Sequence, residues 1–310
     1  MWERVFNTPF VFLSLTQQEE QMTIQTIGHA LEVWSENLHQ ERRYNRRHKS
    51  LLKNLNSHFG SFNVSKITHD DIKNYIKKRE VKEQTVDKEL SVLKGAISFC
   101  HKAELIDNPP NIRFNRAKPK YRERFFSKEE VRTILNTKVC NSNPKFKLLL
   151  KIAITTCARK SAIRTLRTSQ INFDANLIDF NHHTMHIKSK PRAIIPIPSS
   201  IKDELKKACD ESKNGFVVYF HEHTLDSLWE KAFDQANVNG DPKKETAVFH
   251  TLRHTGAVEM AKSGKVSMKE ISSYLGHSSI LITEKVYAKY LPSFMRESVN
   301  VMNGLLGESA

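Results

Sequence analysis

Phe249 to Tyr290 reads FHTLRHTGAVEMAKSGKVSMKEISSYLGHSSILITEKVYAKY, and the reading of this 310-residue chain turns on it. His250 and Arg253 stand three apart, so on a helix they project from one face and can share a ligand. Leu275-Gly276 reads as a helix C-terminus, with Gly in the left-handed position and His277 presented just beyond. Tyr287 follows after a polar run. Cationic and hydrogen-bonding groups therefore converge near a phenol, with no carboxylate among them to hold a metal. Such a set suits one task, holding a phosphodiester while a phenol oxygen attacks it. Singly, a helical histidine is ordinarily solvated or core-satisfied and a lone tyrosine is ordinarily packing; the ordered combination makes the case.

The rest of the composition agrees. The formal charge is +15 and the pI about 9.6, which suits a polyanion partner, nucleic acid ahead of a membrane surface, better than a small metabolite. No apolar run approaches the roughly 20 residues needed to span a bilayer. The run from Phe10 to Leu15 is too short for a signal sequence and lacks a small-residue cleavage site. Cys100, Cys140, Cys157 and Cys209 are scattered without a Cys-x-x-Cys pair. That pattern argues against a zinc ribbon or a disulfide framework and for a reducing cytoplasm; the DNA partner adds the expectation of nucleoid association.

Length favours two domains over one core. Residues 1–21 lack periodicity and read as a poorly ordered extension. Over 22–110 the apolar spacing is helical: Ile24, Ile27, Leu31, Trp34 and Leu38, then a short helix from Ser65 to Lys78, then Val86, Leu90, Leu93 and Ile97. Within this all-helical domain Arg42, Arg43, Arg46, Arg47 and Lys49 form a basic cluster. A solvated helix face is the plain reading of it, and phosphate contact the favoured one. Residues 111–124 are basic and proline-bearing, with Arg113, Arg116, Lys118, Lys120, Arg122 and Arg124, and read as a linker lying along DNA.

A capping box at Ser127 to Glu130 opens a second, mixed domain over 125–290. An apolar helix from Lys145 to about Ala158 delivers Arg159 at its end, and an arginine emerging there needs an anionic partner. The plain alternative is a structural salt bridge. Leu177 to Phe180 and Met185 to Pro198 alternate as strands of a small antiparallel sheet. His182, His183 and His186 lack partners at ligand spacing and read as surface or DNA-facing. Trp229 falls on the apolar face of a helix with Leu225, Leu228 and Phe233, and reads as core. The tail 291–310 offers Phe294, Val299, Met302, Leu305 and Leu306 on a helix too short to fold alone. The fold class is thus mainly α with a small antiparallel β-sheet.

His-x-x-Arg-His-Thr, then Leu-Gly-His-Ser, then Tyr-Ala-Lys-Tyr closely resembles the C-terminal signature of the tyrosine recombinases, the phage integrase family. Thr156-x-x-Arg159 followed by an apolar helix resembles the family's first arginine motif, though Cys157 stands where the family usually has Gly, and Ala162 where it often has an acidic residue. Ile187-Lys188-Ser189-Lys190-Pro191-Arg192 resembles its lysine-bearing β-hairpin.

The resemblance implies a helical core-binding domain followed by a catalytic domain. It implies Arg159, Lys188, His250, Arg253, His277 and Tyr287 as catalytic groups. Lys190 is the alternative lysine, and Tyr290 the alternative tyrosine, because Tyr287 lies ten residues after His277 rather than nine. Lys190 and Arg192 then join the DNA contacts. It further implies a 3′-phosphotyrosyl intermediate formed without metal, ATP or other cofactor. The partners would be double-stranded DNA bearing recombination sites and a homotetramer exchanging its tails, with room for a DNA-bending accessory protein. The activity expected is integration or excision of a phage or mobile element. A chromosome-dimer resolvase is the nearest alternative, a type IB topoisomerase shares the chemistry, and an inactive DNA-binding regulator is the alternative of another class.

Overall fold

Thr26 starts the first helix by accepting a hydrogen bond from the His29 backbone at 3.3 Å. The computed structural model describes residues 23–117, 121–181, 192–292 and 296–304. Its contacts divide the chain into two compact units, the first ending at residue 120 and the second beginning at Tyr121.

The first unit contains α1 (Ile27–Gln40), α2 (Arg46–Phe59), α3 (His69–Lys78) and α4 (Glu83–Lys102). Their apolar stripes meet in a core around Ile27, Leu55, Phe59, Leu90 and Leu93, as amphipathic spacing requires. Two boundaries differ from the sequence expectation. Ile24 is buried but precedes α1, and α3 begins at His69 because Thr68 forms a reciprocal cap with Asp71. Glu89 lies fully inside this core. It accepts from Tyr75 Oη at 2.8 Å, Arg79 Nη2 at 2.7 Å and Asn54 Nδ2 at 2.9 Å, so its charge is paired and hydrogen-bonded.

The basic cluster occupies the turn before α2 and its first residues. Arg42 takes a left-handed backbone, φ 54°, and Arg43 pairs with Glu41 at 2.7 Å. Arg46, Arg47 and Lys49 are exposed. Asn45 and His48 cap the start of α2 reciprocally, and no acidic residue occupies its first turn. Arg113 and Arg116 are also exposed. The second compact unit begins at Tyr121, so Arg122 and Arg124 of the 111–124 stretch fall within it. Arg122 donates to the Thr246 carbonyl at 3.0 Å, and Arg124 is buried against Glu130. Internal acceptors of that unit take their guanidinium Nη groups.

In that unit Ser127 and Glu130 form the expected cap of α5 (Lys128–Leu135). Next come α6 (Lys138–Asn141), α7 (Pro144–Thr156), α8 (Lys160–Arg164), β1 (Ile171–Asn172), β2 (Leu177–Asp179) and β3 (Ile194–Pro196). The strands form an antiparallel sheet in the order β1-β2-β3. Ile178 is in register with Ile171 on one side and Ile195 on the other, and all three are buried. This is the two-residue alternation that assigns one face to the core. Helices α9 (Lys202–Asp210), α10 (Glu222–Gln235), α11 (Phe249–Ser263), α12 (Met268–Leu275), α13 (Ile280–Tyr287) and α14 (Arg296–Gly304) follow. Trp229 is only half-buried: its ring edge meets Phe233 and its Nε1 donates to Asp226 at 3.1 Å.

Val299 and Met302 on α14 are exposed. The extension 1–21, Lys118, Lys188, Lys190, the three histidines at 182, 183 and 186, and Phe294, Leu305 and Leu306 lie outside the described residues. No described helix is long and apolar enough to cross a membrane.

Candidate active site

Helix α11 is buried around most of its circumference, including Phe249, Leu252, Arg253, His254, Ala257 and Val258. Polar groups on such a helix must find partners inside the protein. Arg253, 4% exposed, donates from Nη1 to the Cys157 carbonyl and from Nη2 to the Leu275 carbonyl, each at 2.7 Å. These are orphan carbonyls at the ends of α7 and α12, so one guanidinium closes two helix termini. Both acceptors are neutral, and among the described residues no carboxylate pairs with Arg253. Burial and the neighbouring Arg159 pull its pKa down to about 10.

The turn ending α7 positions Arg159. Cys157 holds φ 52° there, a left-handed conformation that costs a non-glycine residue about 1–2 kcal/mol. Its sulfur packs against Gly256, where no Cβ could fit. Arg159 Nη2 then donates to the Gly276 carbonyl at 3.3 Å. The two arginines thus hold consecutive carbonyls, those of Leu275 and Gly276, and meet at the Leu-Gly turn. Burial lowers the Arg159 pKa as well.

Gly276 is required twice over. Its φ is +61°, and a Cβ would lie 2.8 Å from the Ala193 nitrogen and 3.1 Å from the Arg192 Cα. The turn therefore seats against the chain just before β3. Arg192 donates from Nη1 to the Phe180 carbonyl at 3.2 Å and lines a small cavity with Arg159 and Arg253. Burial, then the charge of Arg159, lowers its pKa.

His277 follows the turn half-buried, with Nδ1 2.8 Å from the Thr283 hydroxyl. Burial, then Arg253, Arg159 and His250, bring its pKa down to about 4. His250, on the first turn of α11, is shifted the same way by the surrounding protein and then by Arg253, His254 and Arg159. Its side chain is nonetheless exposed, so the neighbouring positive charges are the better-founded cause. His250 and Arg253 border a cavity of about 250 Å³ that Trp229 and Lys160 also line.

Tyr287 ends α13, 6% exposed. Its Oη lies 3.2 Å from His254 Nδ1. Burial pushes the phenol up to about 12, and Arg253 opposes that rise. Tyr290 instead packs its ring edge against Phe125.

The structure therefore gathers Arg159, His250, Arg253, His277 and Tyr287 around the ends of α7, α11, α12 and α13. It adds Arg192, which the sequence placed only among DNA contacts, and His254, which the sequence quoted within a motif without a role. Proximity of His254 to Tyr287 depends on how α13 packs on α11, and spacing along the chain cannot show that. The cluster Arg42, Arg43, Arg46, Arg47 and Lys49 and the pair Arg113 and Arg116 lie in the other unit. Among the described residues no three His, Cys, Asp or Glu side chains converge as metal ligands.

Residues 124–293, more than half of the chain, match the Phage integrase family. The chain belongs to that family. A tyrosine recombinase XerC-like protein of Caldanaerobacter subterraneus subsp. tengcongensis is 26% identical over 220 residues, 58% of this chain and 54% of that relative. This family member thus spans about half the length of that curated relative. Its fold matches the Tn1549 transposon integrase solved with a circular intermediate DNA, with a TM-score of 0.67, 15% identity and coverage of 90% of this chain and 100% of the other. A lambda integrase tetramer bound to a Holliday junction gives 0.65 and 17%, covering 84% of this chain and 77% of that one.

Proposed function

We propose that this protein is a site-specific DNA recombinase that cuts and rejoins DNA through a 3′-phosphotyrosyl link, integrating or excising a mobile element. The observation that carries this reading is the charge of the site. Among the described residues Arg253 donates to two neutral carbonyls and stands beside Arg159, two histidines and a buried phenol, a concentration of donors and positive charge that suits an anion.

Arg159 and Arg253 clamp the non-bridging oxygens, because planar paired donors remain charged throughout and stabilise the charge that develops in the transition state. His250 and His277 donate further hydrogen bonds. A neutral imidazole has one N–H to give, and a bound phosphate favours the doubly protonated form. Tyr287 Oη attacks phosphorus in line as it loses its proton. Lys188 is assigned to protonate the departing 5′ oxygen. The link keeps the bond energy of the broken diester, so a second 5′ hydroxyl reseals it without ATP.

Arg42, Arg43, Arg46, Arg47, Lys49, Arg113, Arg116, Lys118, Lys190 and Arg192 supply phosphate contacts on a double-stranded target. The core-type helical domain, the linker and the catalytic domain each contact the DNA. Four protomers act together through tail exchange at a junction, a DNA-bending protein assists, and the complex resides at the nucleoid. A chromosome-dimer resolvase would use the same groups on another target. The resemblance to a XerC-like recombinase keeps that reading beside the first, and mapping the cleaved site on the DNA separates the two.

The test is incubation with a nicked substrate that traps the intermediate, read as a denaturation-resistant protein–DNA adduct. Tyr287→Phe should yield none while binding DNA as the parent does. An adduct that persists moves the nucleophile to Tyr290, and a parent protein that binds but never forms one is a regulator.

A further inference from the structure

We infer that His254 is the group that orients the Tyr287 phenol and accepts its proton when the oxygen attacks phosphorus. This rests on the proposal that Tyr287 is the nucleophile and deepens it.

Any attacking phenol must shed a proton; His250 and His277 are the other imidazoles that could shuttle it, and among the described residues neither is hydrogen-bonded to the Tyr287 oxygen. Arg159 and Arg253 are donors only, and His277 directs Nδ1 at Thr283. Among the side-chain hydrogen bonds of the described residues, the one that reaches Tyr287 Oη comes from His254, at 3.2 Å through Nδ1. The rings lie 5.2 Å apart and are tilted by 37°, a packed arrangement that holds both. His254 is 6% exposed and Tyr287 the same, so water competes weakly for either atom.

The surroundings of the imidazole suit a proton acceptor. Its other nitrogen, Nε2, is buried without a formed hydrogen bond. Burial and then the Lys289 ammonium lower the ring's pKa, while Glu245 and then Glu123 partly offset them and favour a positive ring. Lys289 is itself paired with Glu123. In the resting state Nδ1 accepts from the phenol O–H while Nε2 carries the ring hydrogen. In the reaction the Oη–phosphorus bond forms and the bond from phosphorus to the 5′ oxygen breaks. The phenol proton moves to Nδ1, and the departing oxygen takes a proton from the general acid. The resulting imidazolium is favoured by the nearby Glu245 and Glu123. Burial first, and then the Lys289 ammonium, hold His254 below its ordinary value, so the ring is neutral at neutral pH and free to accept a proton.

The experiment compares parent, His254→Asn, His254→Ala and Tyr287→Phe on the nicked substrate across pH 6 to 10, with DNA binding and thermal unfolding followed in parallel. Parent adduct formation should rise and level off once His254 is neutral. His254→Asn can still hold the phenol but cannot take its proton. Its rate should be about 10²- to 10⁴-fold lower near pH 7, the usual range for such a base, and should climb with pH as hydroxide substitutes. His254→Ala should be slower still, and both should bind DNA as the parent does. A histidine variant with the parental pH profile and only a uniformly lower rate, or one that retains the parental rate, overturns the proposal and leaves His254 a packing residue. An adduct in Tyr287→Phe would instead overturn the nucleophile assignment, independently of how the histidine variants behave.

Discussion

The sulfur of Cys157 occupies the space that a Cβ on Gly256 would need. The left-handed turn that aims Arg159 and the helix that carries Arg253 are thereby fitted to each other by one missing methyl group. Gly256→Ala should lower thermal stability by about 2 kcal/mol or more, because overpacking a closed core forces neighbours off their rotamers. Cys157→Gly empties that space and relaxes the backbone, so Gly256→Ala should cost much less in its presence. Thermal unfolding of both single variants and the double variant measures this coupling. Strictly additive changes would mean that the two positions do not share the space.

Arg159 and Arg253 should respond differently to removal. Arg253→Ala strands the Cys157 and Leu275 carbonyls, and each buried orphan costs about 1–3 kcal/mol. That variant should lose both cleavage and several degrees of melting temperature. Arg159→Ala should lose at least a hundredfold in cleavage, the scale of deleting one preorganised donor, with a smaller thermal change. Adduct kinetics beside calorimetry separates the two outcomes.

Acidification should destabilise the DNA-free protein. His277 and His254 are held below the ordinary histidine value of 6.5, so the unfolded chain binds protons first as pH falls. Stability should be complete above about 6.5 and decline towards about 4, the value burial imposes on His277. His277→Asn should flatten that decline. An unchanged pH dependence in this variant would place the titrating group elsewhere.

Binding should weaken steeply with salt. Each phosphate neutralised contributes about 0.9 to the slope of log K against log salt. Replacing Arg42, Arg46 and Arg47 together with alanine should therefore reduce the slope by roughly 2–3. A slope equal to that of the parent would mean these residues face solvent in the complex.

The reach of the sequence can be argued from particular residues. The cap at Ser127, the left-handed Gly276 and the convergence of His250 with Arg253 are local consequences of residue type and spacing, and they were legible. Arg124 was not. Basicity suggested DNA, but the nearby Glu130 and the Val238 carbonyl, distant in the chain, give it a buried destination. Glu89 and His254 escaped for the same reason, since each has its role fixed by a partner on another helix. The short β1 strand was hidden because two residues carry no alternation to detect.

Arg159 and Arg253, fastened to adjacent carbonyls of one turn, have a thermodynamic consequence. Two cations are held close before any ligand arrives, so the empty fold carries their mutual repulsion as a standing destabilisation. An anion that enters relieves it, and affinity then includes energy the protein had stored during folding. Little of the binding energy goes to assembling the clamp. Small oxyanions should accordingly raise the melting temperature by mass action, and DNA should mask the harm of mildly destabilising substitutions that are damaging in the free protein.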